Sequence, residues 1–64
     1  MISGIVKSWN TSQGWGFIED DDGEAYFLHV SQIRSGQFIS NNSRVKFDVL
    51  EGQRGPEAEN VTLF

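Results

Sequence analysis

The sequence predicts an all-β fold, a five-stranded antiparallel Greek-key barrel, on three observations. Five short runs are rich in strand-forming residues and bounded by turn-forming clusters, and no stretch carries an amphipathic helical stripe. The gap between the third and fourth runs, Arg34 to Ser43, is too long for a hairpin, so the chain must cross over there. With 64 residues and no cysteine, the chain has room for one small apolar core and no disulfide to support it. Closing the sheet into a barrel is how so short a chain disposes of its exposed edges.

Each element follows in order. Ile2 to Asn10 reads as the first strand, ended by the turn cluster Asn10-Thr11-Ser12. Trp15 to Asp20 and Ala25 to His29 are the second and third, joined by Asp21-Asp22-Gly23, a three-residue hairpin loop with Gly23 in the left-handed position. Val30 to Ile33 suggests a helical turn. The polar loop Arg34 to Ser43 contains Gly36, Asn41 and Asn42 and is interrupted by Phe38-Ile39. Arg44 to Leu50 alternates as a fourth strand, with Val45, Phe47 and Val49 inside and Arg44, Lys46 and Asp48 in water. Gly52 to Pro56 is a loop, and Glu59 to Leu63 is a fifth strand with Val61 and Leu63 inside. A single domain over residues 1–64 is expected.

Counting outward from the hairpin loop pairs Asp20 with Glu24, Glu19 with Ala25, Ile18 with Tyr26, Phe17 with Phe27 and Trp15 with His29. Alternate residues of a strand share a face, so Trp15, Phe17, Phe27 and His29 gather on one side. Rings on strands most often mark a half-buried core face. Here the opposite side supplies its own core, Ile18, Tyr26 and Leu28 with Gly16, and a domain this small has room for only one. The aromatic face is therefore free to stack unpaired bases. Glycines 14 and 16 are expected to let bases or backbone approach closely and to relieve crowding at a strongly bent strand.

Composition narrows the function further. The net charge is −4, from nine acidic and five basic residues, which counts against a polyanion-binding surface. Distribution matters more than the total, however: Glu19, Asp20, Asp21, Asp22 and Glu24 crowd the hairpin tip as a solvated cap. The cations Lys7, Arg34, Arg44, Lys46 and Arg54 are scattered. A lone histidine, no cysteine and no convergent carboxylate pair leave no nucleophile–base couple, so no catalysis is expected. The acidic tip lacks the spaced ligands of a calcium loop, and neither metal nor cofactor is expected. No apolar run is long enough for a membrane helix and no signal peptide is present, so a cytoplasmic location is expected.

Gly4-Ile5-Val6-Lys7, Asn10, Gly14-Trp15-Gly16-Phe17-Ile18 and Phe27-Leu28-His29 together resemble the bacterial cold-shock proteins, free-standing cold-shock domains, with the two ribonucleoprotein motifs in the last two segments. Ser31, Ile33, Gly52, Arg54-Gly55-Pro56, Ala58 and Asn60-Val61-Thr62 extend the resemblance over nearly the whole chain. It implies a five-stranded antiparallel barrel of the OB-fold that binds single-stranded RNA and DNA with low sequence selectivity, as RNA chaperones that keep transcripts unpaired. Three departures fall on the binding face. Ser8 stands where the family usually has tryptophan, with Trp9 beside it in place of phenylalanine; Val30 replaces an aromatic residue; Gln13 replaces a lysine.

The candidate site is Trp15, Phe17 and Phe27 as stacking platforms, with His29 stacking or hydrogen-bonding a base edge. The resemblance adds Lys7 and Arg54 as phosphate contacts and places Phe38 at the rim. Trp9 joins the site only where a bulge tilts it onto the face, since strand alternation sends it elsewhere. A second reading makes the aromatic face a protein-interaction or self-association surface. A monomer is expected, with a strand-exchanged dimer through the Arg34 to Ser43 loop as the other possibility.

Overall fold

A computed structural model describes residues 1–35 and 37–64; Gly36, assigned above to the polar loop, lies outside the described residues. The elements run β1 (Ile2–Asn10), β2 (Trp15–Asp20), β3 (Ala25–His29), a 3₁₀ turn (Val30–Gln32), β4 (Arg44–Gly52) and β5 (Gly55–Leu63). The strands close into a barrel in the order β1-β2-β3-β5-β4. This is the crossover that the long third connection requires. Four pairings are antiparallel, whereas the barrel shuts through a parallel contact of β3 with β5, Phe27 against Glu57.

The β2–β3 register matches the count from the hairpin loop, from Glu19 opposite Ala25 to Trp15 opposite His29. The loop works as the sequence suggests, with Gly23 at φ 83°. Asp20 organises it: its Oδ1 accepts the amides of Asp22 and Glu24 at 2.9 and 3.0 Å, and its Oδ2 accepts the Tyr26 hydroxyl at 2.7 Å. Tyr26 thereby buries its ring, edge-on to Phe47 at 5.1 Å, while its hydroxyl reaches a charged partner near the surface.

Inward residues of all five strands meet in one core: Val6, Ile18, Leu28, Val45, Phe47 and Val61 are fully buried, joined by Tyr26 and Ala58. Each large apolar side chain so buried contributes about 1.5–3 kcal/mol relative to exposure. The crossover segment is stitched to β1, with the Asn42 amide donating to the Val6 carbonyl at 2.8 Å and the Val6 amide to Ser43 at 2.9 Å. Ile39 packs against the core from this segment.

Two expectations need correction. β4 and β5 extend further than their apolar patterns indicate, leaving only Gln53-Arg54 as the turn between them. Val49, expected inside, is 38% exposed. The reason is topological: β1 pairs with β4 only as far as Phe47, so beyond that point β4 has β5 as its neighbour and the hairpin runs past the barrel. Backbone pairing, not burial, defines the strands there.

Candidate nucleic-acid interface

β2 carries Trp15 and Phe17 on its outer face, because Gly16 between them and Ile18 after them are turned into the core. β3 carries Ala25, Phe27 and His29 outward in the same way, around buried Tyr26 and Leu28. Phe17 lies opposite Phe27 and Trp15 opposite His29, so the two strands present their rings together. Trp15 and Phe17 are 37% and 39% exposed, which places them on the surface and not in the core. The Trp15 and Phe27 rings lie nearly parallel, 6.4 Å apart between centroids, and Phe17 stands edge-on to both at 6.1 Å. At such spacings the rings support one another as a cluster, with Trp15 and Phe17 the most open of the three.

A cation edges this cluster. Arg54, in the β4–β5 turn, places its guanidinium 4.7 Å from the centroid of Phe27. The parallel β3–β5 contact, with Glu57 beside Phe27, brings that turn to the face. Arg54, Ala25 and Pro56 complete a shallow concavity with Trp15, Phe17, Phe27 and His29. Lys7 is exposed on β1 directly across from Phe17, which puts a second cation on the same face.

His29 is held by its neighbours. Its Nδ1 accepts the Ser31 amide at 3.1 Å and lies 2.8 Å from the Ser31 hydroxyl, capping the 3₁₀ turn. With Nδ1 engaged as an acceptor, the neutral ring carries its proton on Nε2, which is left as a donor toward a base edge.

Trp9 is not part of this face. Between Lys7 and Asn10, β1 holds one residue more than the facing stretch of β2, and Ser8 takes the left-handed φ of 52° that a bulge requires. Contrary to the expectation above, strict alternation from outward Lys7 would put Trp9 on the face. The extra residue turns it to the inner side, where it packs against the core and its Cα comes within 2.9 Å of where a Gly16 Cβ would stand. The bulge exists, but it turns the indole inward. Asn41 fixes it, its Oδ1 accepting the Trp9 amide at 2.7 Å. Phe38 is 92% exposed and does not line the concavity, while its neighbour Ile39 anchors the segment. Asn10 is a turn residue, its Oδ1 accepting from Gln13 and Ser12.

Sequence reasoning missed Ala25 and Pro56 as parts of the concavity. Ala25 was within reach, since alternation from Phe27 puts it outward; Pro56 was not, because it enters through the β3–β5 closure.

A closed five-stranded barrel with an outward aromatic face and flanking cations defines a nucleic-acid-binding module. The 'Cold-shock' DNA-binding domain family matches residues 2–64, and the chain belongs to that family. It is 44% identical to the major cold shock protein of Streptococcus pyogenes serotype M1, over 97% of this chain and 96% of the relative. It is 44% identical to cold shock-like protein CspLB of Listeria monocytogenes, over 97% of each chain. It is also 43% identical to cold shock-like protein CspG of Escherichia coli, over 98% of this chain and 94% of that one. Among solved structures, "drosophila Unr CSD456" superimposes with a TM-score of 0.81 at 20% identity, covering 98% of this chain and 26% of that longer one, a likeness of fold. These relationships favour nucleic-acid binding over the protein-interaction reading. No helix among the described residues is long and apolar enough to cross a membrane.

Proposed function

We propose that this protein binds single-stranded RNA and DNA with low sequence selectivity and acts as an RNA chaperone in the cytoplasm, without catalysis, as a monomeric single domain. Unpaired bases stack on Trp15, Phe17 and Phe27, the His29 Nε2–H donates to a base edge, and Lys7 and Arg54 take phosphates. The observation that carries this reading is the outward clustering of three rings on β2 and β3 while the core is complete without them. Every base has a π-face, so a stacking platform accepts any sequence and selects against paired strands, whose bases are already stacked. Taking up unpaired segments shifts the equilibrium away from hairpins.

Titration of tryptophan fluorescence with oligothymidine at low salt tests the proposal. Saturable quenching is expected, and Phe17→Ala or Phe27→Ala should each weaken binding by about 1–3 kcal/mol, one stack's worth. Unchanged affinity in both variants would mean that the strand lies elsewhere.

A further inference from the structure

A second cationic patch lies on the outer surface of the barrel, next to the aromatic face. Arg44 and Lys46 point outward from β4 on either side of buried Val45. The Phe64 ring, 69% exposed, sits between them, 5.3 Å from the Arg44 guanidinium and 5.9 Å from the Lys46 ammonium. A ring beneath a cation is also seen at Phe27 and Arg54, although Phe27 is half-buried. Here the ring holds two long, flexible side chains on one spot of the surface.

The patch continues the candidate interface. Ile5 on β1 pairs with Arg44 on its β4 side, and Ser3 pairs with Lys46. Lys7, the next outward residue of β1 after Ile5, faces Phe17 on the other side. A path from Phe17 over Lys7 to Arg44 and Lys46 thus crosses a single strand. Acids bound it: Glu19 lies on the β2 side of Ile5, and Asp48, the next outward residue of β4, is engaged by the Asn60 amide at 3.3 Å. In a chain of net charge −4, four of the five cations (Lys7, Arg44, Lys46 and Arg54) are thereby placed on or beside one continuous surface.

We propose that Arg44 and Lys46, positioned by Phe64, extend the binding path and take the phosphates of nucleotides that run off the aromatic face across β1. The inference rests on the proposed single-strand binding and lengthens its footprint. A complementary charge and continuity with the stacking face identify the occupant as more of the same strand.

The test compares tetrathymidylate, chosen at one base for each of Trp15, Phe17, Phe27 and His29, with decathymidylate. Salt dependence is the readout, since it counts neutralised phosphates regardless of how many registers a long strand can occupy. Two further phosphates add about 1.4 to the logarithmic salt slope, so raising salt from about 50 to about 200 mM should weaken decamer binding about sevenfold more than tetramer binding. The Arg44→Gln/Lys46→Gln double variant should lose that excess and bind tetramer as the parent does; Arg44→Lys/Lys46→Arg should keep it. An unchanged decamer slope in the Gln variant, with tetramer binding intact, overturns this inference and leaves the stacking face standing. Failure of the parent to bind tetramer at low salt overturns the proposed function and this extension with it.

Discussion

The Arg54 guanidinium lies over the Phe27 ring, 4.7 Å from its centroid, although the two residues come from opposite sides of the crossover. A guanidinium is planar as well as charged, so here it presents a second flat surface at the edge of the ring cluster. Lysine retains the charge and loses the plane. Arg54→Lys is therefore expected to weaken oligothymidine binding with the salt slope unchanged, whereas Arg54→Ala lowers the slope by about 0.7 as one phosphate contact is lost. Titrations at four or five salt concentrations separate the two effects.

The two tryptophans occupy different environments: Trp15 is on the candidate face, and Trp9 is half-buried against the core behind Gly16. Quenching by bound bases should therefore come from Trp15. Trp15→Phe is expected to abolish most of the fluorescence change on adding oligothymidine. Trp9→Phe should preserve that change and instead lower stability by about 1 kcal/mol through altered packing, read by urea denaturation.

Gly16 has no room for a side chain. A Cβ there would stand 2.9 Å from the Trp9 Cα and 3.0 Å from the Ser8 carbonyl, both backbone atoms of the bulge. Gly16→Ala must push β1 away from β2 and is expected to cost about 1–3 kcal/mol in thermal or urea unfolding. Gly23 meets nothing within 4 Å but has φ 83°, so Gly23→Ala should cost about 1 kcal/mol through backbone conformation alone.

The Tyr26–Asp20 hydrogen bond gives stability a dependence at both ends of the pH scale. The tyrosine hydroxyl, aided by backbone amides, holds the Asp20 carboxyl below its ordinary 3.8. The stability this supplies is present above the unfolded value and is lost as pH falls through the lower folded one. Acceptance by the Asp20 carboxylate, with burial and neighbouring negative charge, pushes the Tyr26 phenol from 10.0 up to about 12. That contribution is complete below the unfolded value and is lost as pH rises through the folded one. The gap in melting temperature between the parent and Tyr26→Phe is therefore expected to be widest near neutrality and to close below 3.8 and between 10 and 12. An equal gap at all pH values would show that the bond does not form.

The β2–β3 hairpin was fully legible in the sequence because its loop chemistry fixes the register, and register fixes which rings share a face. That local inference delivered Trp15, Phe17, Phe27 and His29. Less was legible where position depends on contacts distant along the chain. Nothing near Trp9 in the sequence announces an extra residue at Ser8, since serine is an unremarkable occupant of a strand and only the Asn41 clasp and the tight Gly16 contact make the left-handed turn worthwhile. Alternation likewise placed Val49 inside, because a periodic pattern does not reveal where the neighbouring strand ends. Phe38 and Arg54 were assigned by resemblance alone; Arg54 reaches the face through the β3–β5 closure, and Phe38 projects into solvent.

That closure has a thermodynamic consequence. The join between β3 and β5 is parallel, a slightly weaker kind of pairing, and the aromatic cluster lies on one side of it and the arginine on the other. A polynucleotide lying across both acts as a clasp over that seam. Occupancy then protects the fold by mass action, about 2.7 kcal/mol at a free ligand concentration one hundred times Kd. Amide exchange in β3 and β5 should slow first as transcript is added, making the join a gauge of how much cargo the barrel holds.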